Sequence, residues 1–125
     1  MVASGVGKAV LATYSDGDVS AIIHRQGMPH LTENSIVRAG VLFRELQAIR
    51  RRGYAVDDEE ARIGLRCVAA VVYNDFSKPM AAISISGMTS RVTDERLPDL
   101  GRAVREAAAE LTFALGGAVP EAVEA

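Results

Sequence analysis

At Gly53 the spacing of apolar residues changes. Before it, Leu42, Leu46 and Ile49 recur at intervals of four and three, which places them on one stripe of a helix over residues 41–52. After it, Y-A-V-D at 54–57, R-C-V-A-A-V-V-Y-N at 66–74 and the apolar run at 79–87 read as strands. The turn formers of N-D-F-S-K-P suit a hairpin between the last two. A helical period returns over 94–116, where Leu97, Leu100, Val104, Ala107, Leu111 and Leu115 predict one inward face and Pro98 stands near the helix's real start. Helices on both sides of three consecutive strands make an α+β domain, with a small, mostly antiparallel sheet flanked by helices.

The chain before that boundary reads as helical too. Ser4 is placed to cap a helix over 5–14, and Ser15 a second, shorter one that Gly27 closes; Thr32 or Asn34 then opens a loop or turn. The 125 residues, 49% of them hydrophobic, suffice for one core, so 1–125 is read as a single domain. Three strands make a thin sheet. That predicts strands missing from these residues or supplied by another chain. The tail A-V-P-E-A-V-E-A at 118–125 reads as loose.

Charge and cysteine content remove several functions. With 14 basic and 16 acidic side chains the net charge is −2, and no surplus of cations is present to neutralise a nucleic-acid backbone. Cys67 stands alone and cannot form an internal disulfide; with no secretory signal pattern, a reducing cytoplasm is expected. Apolar runs break well short of the roughly 18 residues a membrane helix needs, so no membrane partner is expected.

The strand A-A-I-S-I-S-G raises a functional question. Strand side chains alternate, so Ser84 and Ser86 share one face while Ile83 and Ile85 take the other. Such a polar face meets water or lines a pocket. The opening S-G-V-G-K offers helix-start amides to an anion, or its glycines only permit close packing; it lacks the spacing of a nucleotide P-loop. In Y-A-V-D-D-E-E the four acids read as a solvated turn, although Asp57, ending an apolar strand, can point inward. Cys67 reads as a small buried hydrophobe. As a nucleophile it needs a base, and neither His24 nor His30 is joined to it by a motif; the three also match no zinc spacing. Arg50, Arg51 and Arg52 complement a helix dipole and are expected to stay in water.

Taken in order, S-G-V-G-K-A, R-R-G-Y-A-V-D-D-E-E, G-L-R-C-V-A-A, A-A-I-S-I-S-G and T-S-R-V-T resemble the effector-binding domain of the IclR family of bacterial transcriptional regulators, its isocitrate-lyase and acetate-operon repressor branch in particular. The likeness runs from Ser4 to about Gly117. It implies a GAF-like (profilin-like) fold truncated at its N-terminus, with the family's winged helix-turn-helix absent from this chain and DNA reached only through that domain. It further implies a cytoplasmic homo-oligomer, dimer or tetramer, that senses a small carboxylate such as glyoxylate or pyruvate without cofactor or metal. Carried over by motif, the backbone of Gly5 and Val6 receives the carboxylate, and Asp57, Cys67, Ser84 and Ser86 line the rest of a pocket. Two other readings stay open: an enzyme acting on small keto acids through Cys67 or Asp57, and an assembly module whose pocket is vestigial.

Overall fold

A computed structural model describes residues 1–120; of the stretch read as a loose tail, 121–125 lie outside the described residues. The order is α1 (Gly5–Leu11), α2 (Asp16–Gln26), α3 (Ala39–Arg52), β1 (Ala55–Asp58), β2 (Leu65–Tyr73), β3 (Pro79–Met88) and α4 (Leu97–Ala114). The strands form one antiparallel sheet in the order β1-β2-β3.

Local chemistry sets the boundaries. Ser4 accepts from the Gly7 amide and Ser15 from the Asp18 amide, each satisfying one donor that a helix start leaves bare. Helix α1 is shorter than the expected 5–14: its last turn tightens, and Thr13 and Tyr14 bond back to Val10 and Leu11. Gly53, with φ 85°, ends α3 in the left-handed conformation that side chains resist. Pro98 does fall in the first turn of α4, where its missing N–H costs nothing. In the β2–β3 hairpin the Asn74 side chain accepts from the amides of Phe76 and Lys78.

Alternation along β2 divides the core in two. Ala69 and Val71 pack with Leu11, Val19, Leu42, Leu46 and Ile49 beneath α1 and α3. Val68, Ala70 and Val72 pack with Val104 and Ala108 of α4 on the opposite face. The sheet is thus sandwiched. Leu42 and Leu46 are fully buried, each worth about 1.5–3 kcal/mol relative to exposure.

The buried face of α4 differs from the one its leucines predict. It runs through Gly101, Val104, Ala108 and Thr112, whereas Leu111 and Leu115 are exposed. Small residues fit because the partners come close: the ring of Tyr54 lies against Gly101, and Thr112 Oγ1 accepts from the Tyr73 amide at 3.0 Å.

Candidate functional site

The sheet register collects the sequence-derived candidates. Asp57 of β1 pairs with Cys67 of β2, and Cys67 with Ser86 of β3; Ala55, Ala69 and Ser84 form the next row. Directly paired residues point the same way, and Ala55 and Ala69 belong to the core under α1, so Asp57, Cys67, Ser84 and Ser86 all occupy the α1 face. Helix α1 lies across all three strands. Its start is so close that a Cβ on Gly5 would stand 3.0 Å from Cys67 Sγ, tighter than an ordinary van der Waals contact. Val6 is exposed. In the first turn the Gly7 amide goes to Ser4 Oγ and the Lys8 amide to the Ser4 carbonyl, whereas those of Gly5 and Val6 have no helical acceptor.

The two serines stand at an open rim. Both are exposed, because β3 is an edge strand with no neighbour beyond it in the described sheet. An enclosed pocket walled by these hydroxyls, which the family likeness implies, is therefore not formed by residues 1–120. A cleft of about 260 Å³ does exist, between the ends of α1 and α3 and the face of α4, lined among others by Ala12, Ile49, Arg50, Tyr54 and Arg105. None of the six candidates borders it.

Asp57 points inward and is 4% exposed. Its Oδ1 accepts from the Glu60 amide at 2.9 Å. Glu60 departs from the expectation of a solvated acidic turn, being only 6% exposed. Backbone at Glu59, with φ 58°, turns the chain back, and the hydroxyls of Thr32 and Ser35 hold the Glu59 and Glu60 carbonyls at 2.6 Å. Glu60 Oε2 then accepts from the Asp58 amide and from Lys8 Nζ, both at 3.0 Å. Burial pushes the Glu60 carboxyl above the usual carboxylate range, with the Lys8 charge acting against that shift.

Lys8 carries the signal that sequence reading passed over. It stands three residues before the fully buried Leu11 on a short helix, which puts it on the inward face. At 1% exposure its Nζ donates to the Val56 carbonyl at 2.5 Å and to Glu60, with Glu45 Oε1 a further 3.8 Å contact. A buried ammonium thus ties α1 to β1 beside Asp57.

The remaining candidates separate. Cys67 is half-buried, with Gly5 close above its sulfur and Asp57 and Ser86 as its cross-strand neighbours. His24 and His30 are exposed, and neither is hydrogen-bonded to Cys67. Arg50, expected to stay in water, instead donates to the Ala12 carbonyl at 2.8 Å and to the Tyr14 carbonyl at 3.2 Å, closing the open end of α1. Arg52 pairs with Glu45 and stacks over Tyr54.

The family model described as bacterial transcriptional regulator IclR C-terminal matches residues 1–113. The chain is 46% identical over 117 residues to the acetate operon repressor of Salmonella typhimurium and to the transcriptional repressor IclR of Escherichia coli, covering 94% of itself and 43% of each relative. It therefore spans less than half the length of these relatives. Among solved structures it is similar to the repressor BlcR of Agobacterium tumefaciens, with TM-score 0.85 and 31% identity, covering 91% of this chain and 46% of that one. It is also similar to the C-terminal domain of E. coli KdgR, with TM-score 0.83 and 31% identity, covering 92% and 70%. The curated relatives named here are repressors, not enzymes.

Proposed function

The chain belongs to the IclR C-terminal family of bacterial transcriptional regulators, and from that premise we propose that it senses a small carboxylate, of the size of glyoxylate or pyruvate, for a regulator whose DNA contacts lie in another domain. The observation that carries the reading is the cross-sheet row of Asp57, Cys67 and Ser86, with Ser84 beside it and Gly5 closing over Cys67. These groups differ in what they can offer. Hydroxyls and the amides of Gly5 and Val6 donate to an oxyanion; Asp57 can only accept while ionised.

Asp57 therefore selects. A carboxylate beside a bound carboxylate repels it unless the ligand presents a hydroxyl, as a hydrated aldehyde does. Hydrogen bonds to a charged group contribute about 1.5–3 kcal/mol each, and the open rim around the serines holds the gain near the lower end. Two such bonds correspond to affinity in roughly the millimolar range. Regulation follows if the ligand binds the DNA-competent and DNA-released arrangements unequally, and homo-oligomers of the full regulator supply those arrangements.

Thermal unfolding of the chain with a panel of two- to four-carbon acids tests this. Glyoxylate, a hydrated aldehyde in water, raises the midpoint of the unaltered chain more than pyruvate does, and Ser84→Ala and Ser86→Ala each abolish the rise. Midpoints unmoved by every acid would favour an assembly module with a vestigial site.

A further inference from the structure

The geometry points to Lys8 and Glu60 as positioning residues for Asp57: the buried pair fixes which carboxylate oxygen Asp57 presents, and so sets the preference of the site for ligands that carry a hydroxyl. This inference rests on the effector reading above.

Each link is a hydrogen bond of 3.0 Å or less, and Lys8, Glu60 and Asp57 are themselves buried. Lys8 Nζ holds Glu60 Oε2 at 3.0 Å, and the same oxygen accepts the Asp58 amide at 3.0 Å. These two bonds pin the Glu60 side chain, and with it the peptide whose N–H donates to Asp57 Oδ1 at 2.9 Å. That bond occupies one Asp57 oxygen and leaves Oδ2 with no hydrogen bond among the described residues. The free oxygen belongs to a side chain on the α1 face, in register with Cys67 and, through it, with Ser86.

Charge makes the arrangement selective. Around Asp57 stand Glu60 and Asp58 from the same turn, Lys8 from α1, and Glu45 from α3 in loose contact with Lys8. Lys8 is the buried cation in this group and it already has Glu60 as its partner, so Asp57 has no ion-pair partner among the described residues. An acceptor of that kind welcomes a hydroxyl and rejects a methyl group of similar size, because the rejected analogue would leave that oxygen without a donor. Glu60 is itself incompletely satisfied: its Oε1 is buried with no partner among the described residues. A carboxylate kept in that state for packing alone is costly, whereas one that must reach Lys8 and the Asp58 amide together has a reason to stay.

Glycolate and propionate form the matched pair for a test, since they differ by a hydroxyl in place of a methyl. Binding of each to the chain is measured by isothermal titration, for the unaltered chain, Asp57→Asn, Glu60→Gln, Glu60→Ala and the double variant Lys8→Met/Glu60→Gln. The unaltered chain binds glycolate at least about tenfold more tightly than propionate. Asp57→Asn and the double variant reduce that ratio to below about threefold, with the double variant still unfolding in one cooperative transition. A merely structural role weakens both acids together and leaves the ratio intact, and that result overturns the inference. Glu60→Gln still accepts from Lys8 and the Asp58 amide and so keeps the tenfold preference, whereas Glu60→Ala removes both bonds, lowers the ratio to below about threefold and decides the same question should the double variant not fold. A chain that binds neither acid overturns the effector reading itself, whereas a tenfold preference retained in every Lys8 and Glu60 variant overturns only the positioning role.

Discussion

Removing both partners of the Lys8–Glu60 pair should cost far less than the sum of removing each alone. Lys8→Met leaves Glu60, 6% exposed, without its counter-charge and strips the Val56 carbonyl of a donor at 2.5 Å. Losing one member of a buried pair costs about 3–5 kcal/mol. For a domain of this size, where 1 kcal/mol moves the midpoint by roughly 3–5 °C, the midpoint falls by about 10–20 °C. Glu60→Gln costs less, about 1–3 kcal/mol, because the amide still accepts from Lys8 and Asp58 while the ammonium keeps only the distant Glu45. In the double variant the charge problem vanishes with both charges. What remains is the bare Val56 carbonyl, about 1 kcal/mol. Urea unfolding of the four chains, followed by far-ultraviolet circular dichroism, closes the cycle. A double variant as destabilised as the sum of the singles would refute the reasoning, since the two groups would then act independently.

Glu60 also gives the chain a pH signature. Its folded carboxyl titrates above the ordinary value of 4.5 because burial disfavours the ionised form, so its contribution is fully present below that value and is lost as pH rises through the higher folded one. Urea midpoints followed upward from pH 4.5 should show the unaltered chain losing stability relative to Glu60→Gln across that window, and parallel profiles would contradict the assignment. Thr112→Val removes the acceptor of the Tyr73 amide and should cost about 1–3 kcal/mol, with hydrogen exchange at Tyr73 accelerated beyond that of Val72; unchanged exchange would show the bond to be dispensable.

Much of the architecture was readable from spacing. Leu42, Leu46 and Ile49 specified the buried side of α3, and the change of period at Gly53 marked where helix gives way to sheet. The leucines of α4 misled for a physical reason. Hydrophobicity names the residues that prefer burial, but the ring of Tyr54 and the unpaired Tyr73 amide demanded a small residue and a hydroxyl, and those needs rotated the helix toward Gly101 and Thr112.

The candidate site was legible as a set of residues, because alternation alone aligns Ser84 with Ser86, and motif likeness added Asp57, Cys67, Gly5 and Val6. Its charge network was not. Lys8 and Glu60 are far apart in sequence, and each on its own looks like a residue for the surface. Only the turn at Glu59 brings the second acid under α1. Nor could the exposure of the serines be seen in advance, since alternation says which way a side chain points and nothing about whether another element covers it.

Strand β3 has a consequence for the whole molecule. From Pro79 to Met88 it carries no charged side chain, and its outer flank of peptide groups has no strand partner among the described residues, whereas natural margins of this kind are usually guarded by lysines, bulges or brevity. Any further polypeptide that zips onto this margin would roof over Ser84 and Ser86. Sensing and assembly would then contend for one seam, and what docks there would govern how easily a metabolite enters or leaves.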